Sequence, residues 1–225
     1  MRRAGPGPLR EGTAVATESV GGVHAARRVL AGDEAFDVVV LASEAIDRLL
    51  AAGRVVAGSK VDLMRSATAV AVPAGGVSPD IGSETALRAA VLAAATIGYS
   101  TGPSGVALQR LFERWGIAMQ IAPRIVQASP GVPVASLVAS GAVALGFQQL
   151  SELMHVPGID IVGPMPDGVA IDTTFSAGVV AGSPHADAAR RLLEFLGSPE
   201  AAEAKRRQGM QPLLSPFAQL PTESA

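Results

Sequence analysis

The sequence predicts an α/β fold, on three observations. Short apolar runs of strand length alternate with amphipathic helical stretches along nearly all of the 225 residues. Strand-like runs pass into helices through turns rich in serine, glycine or glutamine, at 19–22, 43, 100–105 and 148–151. Alanine, glycine and valine dominate while aromatics make up only 4%, which suits tightly packed strand and helix layers.

In chain order, residues 1–12 are rich in proline, glycine and arginine and predict a loose start. Alternation over 13–19 predicts a strand, and Val20-Gly21-Gly22 turns it into a helix over 23–31 closed by Gly32. The run 36–42, FDVVVLA, is nearly continuously apolar, as in a parallel strand covered on both faces. Ser43 stands where it would cap a helix over 43–52. Residues 55–64 lead into a strand over 67–73, a proline–glycine loop over 74–82 and a helix over 83–94. The stretch TIGYSTGPSGVALQRLFERWGI organises the rest. It reads as a strand over 96–100, a turn over 101–105 and a helix with Val106, Leu108, Leu111, Phe112 and Trp115 on one face.

A helical connection over 121–125, a strand over 126–128 and a helix over 133–140 closed by Gly141 follow. The strand over 143–147 ends in Gln148-Gln149, and Ser151 caps a short helix. A strand over 159–162, a turn over 163–168 and a strand over 173–181 precede helices over 184–196 and 199–208. The tail over 212–225 is punctuated by proline and expected to be extended.

Composition removes several function classes. Net charge is −2 and charged residues are 17%, so no basic face for nucleic acid is expected. With no cysteine there are neither disulfides nor cysteine-ligated metals. His24, His155 and His185 lack ligand-type spacing, so no metal and no cofactor is expected. No apolar run approaches the roughly 18 residues of a membrane span. Residues 1–12 are basic without an apolar core, unlike a signal peptide.

The turn over 101–105 carries the chemistry. A strand, a glycine- and hydroxyl-rich turn and a helix start present free N–H groups and a positive dipole end to an anion. Ser100, Thr101 and Ser104 add neutral donors, and Gly105 a backbone one. The same residues also serve as an ordinary N-cap, with Ser104 or Thr101 satisfying backbone donors. Ligands of open α/β sheets bind beyond the carboxyl ends of the strands. There Gly21, Gly22, Ser43, Gln148 and Gln149 would join the same polar cleft.

Four segments carry a resemblance: GGVHAARRVLAGDEAFDVVVLASEAIDRLLAAG, YSTGPSGVALQRLFERWG, VPVASLVASGAVALGFQQLSEL and PHADAARRLLEFLGSPEAAEAKRRQGMQP. In this order they resemble the type II periplasmic substrate-binding proteins, in the molybdate-binding branch, over roughly 13–212. The resemblance implies a two-lobe α/β fold with mixed, mainly parallel sheets and a ligand cleft between the lobes. Lobe one would comprise 1–72 plus 173–225, and lobe two 73–172, with hinge closure around the ligand. It further implies a monomeric, periplasmic binding protein for a small anion, working with an ABC permease.

Family members usually open with a signal peptide and a further strand, serine-bearing loop and helix. Twelve loose residues stand there in this sequence, so lobe one is expected to be incomplete and to expose a sheet edge. Molybdate binders hold a tetrahedral oxyanion with serines at the place of Val20 to Val23 and a tyrosine near Gln148. Here Gly21-Gly22 and Gln148-Gln149 occupy those places, and glutamines and backbone amides suit a planar carboxylate as well. ESVGG, YSTGPSG and GFQQLSEL are similar to an aconitate isomerase-like subgroup, which moves a double bond in a tricarboxylate by proton transfer. Glu18, His24, Tyr99 and Glu152 are then the candidate bases. Each also has a structural reading: strand-end surface charge, solvent-facing helix residue, core aromatic and helix N-terminal charge, respectively.

Overall fold

One long strand carries both halves of the sheet. The computed structural model describes residues 14–129 and 131–214. Its strands are β1 (Val38–Ala42), β2 (Val61–Pro73), β3 (Ile97–Ser100), β4 (Ile125–Ala128), β5 (Leu145–Gln149), β6 (Ile159–Pro164), β7 (Asp172–Val179) and β8 (Gln211–Pro212). They lie in the order β1-β7-β2-β5-β3-β4, with β6 and β8 also pairing with β2. The expected segments 55–64 and 67–73 give a single strand from 61 to 73. Residues 61–67 of β2 pair with β7, and residues 68–71 pair with β5. The change of partner falls between Ala67 and Thr68.

The sheet is mixed, as expected, but parallel pairing is confined to β5-β3-β4. Every pairing of β2 is antiparallel, and so is β1 with β7. The expected predominance of parallel pairs fails for a topological reason. β2 carries the chain from one half of the sheet to the other and β7 brings it back, so each runs against its neighbours.

Nine helices are described: α1 (Gly22–Ala31), α2 (Ser43–Ala51), α3 (Glu84–Ala93), α4 (Pro103–Arg114), α5 (Ala118–Ile121), α6 (Val134–Ala139), α7 (Leu150–Leu153), α8 (Ala186–Leu196) and α9 (Ala202–Arg207). The larger core lies between the β2-β5-β3 face and α3 and α4. Leu87, Val91, Leu108 and Phe112 there meet Val70, Ile97, Tyr99 and Phe147. Phe112 packs edge-on to Phe147 at 6.2 Å, a favoured aromatic geometry. Each such buried side chain contributes roughly 1.5–3 kcal/mol. This packing fixes α4 against β3, and with it the position of the turn between them.

Residues 14–20 form no strand, against the expectation for 13–19, whose first residue lies outside the described part. Only Val15 and Val20 of that run are even half-buried, and an unpaired polar run does not hold a strand. The 36–42 run also differs from expectation. Among the described residues β1 pairs only with β7, and Val40 is 43% exposed, so it is an edge strand rather than one covered on both faces. The loose start at 1–12 and most of the 212–225 tail lie outside the described residues, although Gln211 and Pro212 pair with β2.

Lys205 ties the C-terminal helices to this frame. Its ammonium donates to Leu63 O at 2.7 Å and to Leu196 O at the end of α8, and burial pushes its pKa down. Lys205→Met keeps the stem and removes the donors. The urea midpoint is expected to fall by an amount equivalent to about 1–2 kcal/mol. An unchanged midpoint would show the ammonium to be dispensable.

Candidate functional site

The strand ends converge as the pairing dictates. β3, β4 and β5 are mutually parallel, so Ser100, Ala128 and Gln149 end at one edge and open into the turns that start α4, α6 and α7. In the other half, Ala42 at the end of β1 stands opposite Phe175 of β7. Two residues earlier in β7, Thr173 accepts a hydrogen bond from Gln149 Nε2 at 3.3 Å. The start of α1 also reaches this edge, since a Cβ on Gly21 would stand 3.9 Å from the backbone nitrogen of Gly131, just before α6. Five helix starts therefore face the junction between the two halves of the sheet.

At α4 the cap residue is Gly102, followed by Pro103, whose fixed φ suits the first helical position. Ser100 Oγ accepts from Gly102 N at 3.2 Å, and the first intrahelical bond runs from Val106 N to Gly102 O. The amides of Ser104 and Gly105 are thus the outward donors of the helix start. No side chain caps this helix, so the anion-receiving geometry is not used up by a serine or threonine cap. Ser104 is buried at 2% exposure, Gly105 is buried, Ser100 is half-buried and Thr101 is exposed.

Ser43 is the first residue of α2 rather than its cap. The cap position belongs to Ala42, and no side chain bonds there. Gly21 is the cap of α1, with Gly21 O accepting from His24 N and Ala25 N, and Gly22 is its first residue. Gln148 and Gln149 are each 5% exposed and face different partners. Gln148 Oε1 accepts from Ala135 N in α6 at 3.0 Å, while its Nε2 donates to Glu152 of α7.

The four candidate bases separate. Glu18 is ion-paired with Arg28 at 3.0 Å, and Arg28 also holds Glu34 and stacks over Phe36. His24 is exposed in the first turn of α1. Tyr99 is a core residue, 4% exposed, against Phe112 and with its hydroxyl accepting from Gln109 Nε2. Glu152 differs from all three. Its side chain is reachable by water, yet the surrounding protein desolvates the carboxyl and raises its pKa, against the lowering effect of the Gln148 donor. A raised pKa suits a proton-transfer role.

Sequence reasoning passed over a polar group at the junction itself. Ser66, Thr68 and Thr173 are buried. Ser66 Oγ shares a hydrogen bond with Ser151 Oγ at 3.1 Å. The signal was present in RSATAVAVP, where hydroxyls stand at alternate positions of an otherwise apolar strand. A hollow lies beside β1, lined by Glu18, Val20, Arg28, Phe36, Val38 and Val40. It holds the Arg28 ion pairs and sits apart from the strand-end junction.

The mixed α/β sheet, with β2 shared between its two halves, opens onto uncapped helix starts at their junction, the fold of the periplasmic binding proteins. Residues 9–211 match the family described as bacterial extracellular solute-binding protein. The chain belongs to that family. Aconitate isomerase of a Pseudomonas species is 42% identical over 185 residues, covering 82% of this chain and 70% of that protein. Among solved structures, the periplasmic molybdate-binding protein of Azotobacter vinelandii superposes with a TM-score of 0.72 at 20% identity, over 89% of this chain and 88% of that one. The sulfate-binding protein SubI of Mycobacterium tuberculosis H37Rv gives 0.67 at 18% identity, over 88% and 75%. At such identities these two structures speak to the fold.

Proposed function

We propose that this chain is a carboxylate isomerase built on a solute-binding fold, acting on an aconitate-type tricarboxylate. The observation that carries the reading is Glu152, a reachable but desolvated carboxyl held by Gln148 at the end of β5. The 42% identity with aconitate isomerase supports it. The two sheet halves act as lobes hinged at β2 and β7, with 1–72 plus 173–225 in one and 73–172 in the other. The substrate carboxylates lie against the α4 start and the neighbouring glutamine and hydroxyl groups. Glu152 removes a proton from the methylene carbon next to the double bond, and the electron pair spreads over the allylic carbons and their carboxylates. Returning the proton to the former vinylic carbon shifts the double bond and conserves all atoms. Amide and hydroxyl donors stabilise the charge as it develops on the carboxylates.

A second reading is a non-catalytic binding protein for a small oxyanion or carboxylate, outside the cytoplasm and paired with an ABC permease. It is favoured by the family and by the fold shared with the molybdate- and sulfate-binding proteins. One experiment separates the two. Thermal unfolding is followed with cis-aconitate, trans-aconitate, citrate, molybdate, tungstate and sulfate, and proton NMR follows each aconitate isomer over time. A ligand at 100 times its Kd adds about 2.7 kcal/mol, or roughly 5–10 °C in a chain of this size. The isomerase reading expects stabilisation by tricarboxylates and interconversion of the aconitates. Stabilisation by molybdate or tungstate alone, without interconversion, overturns it in favour of transport.

A further inference from the structure

Thr68 is the one buried side-chain polar atom without a hydrogen-bond partner among the described residues. It is 1% exposed and sits where β2 changes partners from one half of the sheet to the other. Its backbone is fully used, with Thr68 N donating to Ile171 O at 2.8 Å and Thr68 O accepting from Met165 N at 3.1 Å. The hydroxyl alone is idle. Leaving such a group buried and unpaired costs roughly 1–3 kcal/mol. A valine would fill the same space without that cost.

The polar groups around it are placed by the ladder. Gln149 stands directly opposite Thr68 on β5, and Thr173 stands opposite Ser66 on β7. β5 and β7 flank β2 on opposite sides. The bond from Gln149 Nε2 to Thr173 Oγ1 therefore reaches across β2 beside the Thr68 hydroxyl, at 3.3 Å, beyond the usual range for N–H donors. A long neutral bond next to an unpaired hydroxyl exchanges readily for charge-assisted bonds to an anion, which are about twice as strong.

We propose that Thr68 is a ligand-contacting, specificity-determining residue of the junction cleft. Its hydroxyl and the Gln149 amide together receive one carboxylate of the bound anion, which replaces the Gln149–Thr173 bond. The inference rests on the reading of this cleft as the anion site. The two donors stand opposite one another on adjacent strands, and a planar carboxylate has two oxygens to accept from them.

The test compares Thr68→Val and Thr68→Ser with the unsubstituted protein. Melting temperature is measured without ligand, and calorimetric titrations use cis-aconitate, trans-aconitate, citrate, molybdate and sulfate. Thr68→Val is expected to raise the ligand-free melting temperature and to weaken carboxylate binding about tenfold or more. Thr68→Ser keeps the hydroxyl and is expected to bind within about threefold of the unsubstituted protein. Thr68→Ala supplies the hydroxyl-free variant if valine does not fold. Unchanged carboxylate affinity on removal of the hydroxyl overturns the assignment while leaving the cleft reading intact. A lower melting temperature with unchanged affinity marks a structural hydroxyl and overturns it too. Failure of all five anions to bind the unsubstituted protein overturns the cleft reading, and this inference with it.

Discussion

Gly105→Ala is expected to destabilise the protein by about 3 kcal/mol and, on the proposed reading of the α4 start as an anion site, to abolish binding there. The cause is space rather than backbone angle. A Cβ at this position would lie 1.7 Å from Ser100 O, 2.9 Å from Ser100 C and 3.2 Å from Tyr99 Cδ2. The first two are backbone atoms of β3 and cannot rotate away, so the end of the strand and the start of the helix must separate. Tyr99 is locked into the core against Phe112, which leaves little room for that separation. The same shift moves the Ser104 and Gly105 amides away from any anion they hold. Gly102→Ala serves as the comparison. Its Cβ would meet only Ser100 Oγ at 3.4 Å, and a cost within about 0.5 kcal/mol is expected. Urea midpoints for the two variants measure the difference. Equal midpoints would mean that the close approach of α4 to β3 is not a constraint.

Much of this was legible in the residues, and what was not has a physical cause. The unit over 96–117 was legible because most signals agreed: β-branched residues, a glycine turn, proline at the first helical position and an apolar stripe through Leu108, Leu111, Phe112 and Trp115, although Val106, expected on that face, is 43% exposed. The segment over 13–19 misled because alternation reports only that a strand is possible. Whether a neighbour exists to complete its ladder is a property of the fold, and among the described residues β1 pairs only with β7. Val40 made β1 look doubly covered for the same reason. Ser43 was mistaken for a cap because β1 runs directly into α2, so that Ala42 takes the cap position and Ser43 is already helical.

The site divided along similar lines. Gln148 and Gln149 stood out as polar residues closing an apolar strand, and both lie at the junction. That they serve different partners follows from strand alternation, which turns Gln148 toward α6 and α7 and Gln149 toward Thr173. The contrast among Glu18, Tyr99 and Glu152 was not legible at all. It depends on Arg28, Phe112 and Gln148, each distant in the chain or in a different element, and only the packing brings them together.

On the isomerase reading, Glu152→Gln is expected to lower isomerisation by a factor of about 10²–10⁴ while making the protein more resistant to unfolding at neutral pH. The amide keeps the shape and still accepts from Gln148 Nε2, so the position of the side chain is preserved. What disappears is the carboxylate. Burial raises the folded pKa of Glu152 above its ordinary value of 4.5, so its contribution to stability is full below that value. It is lost as pH rises through the folded pKa, because the ionised form is the desolvated one. Glutamine has no such loss. The melting temperatures of the two proteins are therefore expected to converge below about pH 4.5 and to separate above it, with the variant higher. This pH profile reads the desolvated carboxyl without reference to any substrate, and the NMR assay reads its use. A variant that melts higher at neutral pH but isomerises normally would leave the desolvated carboxyl in place and dismiss Glu152 as the base. A variant with identical melting at every pH would remove the desolvated carboxyl itself, and with it the observation on which the isomerase reading stands.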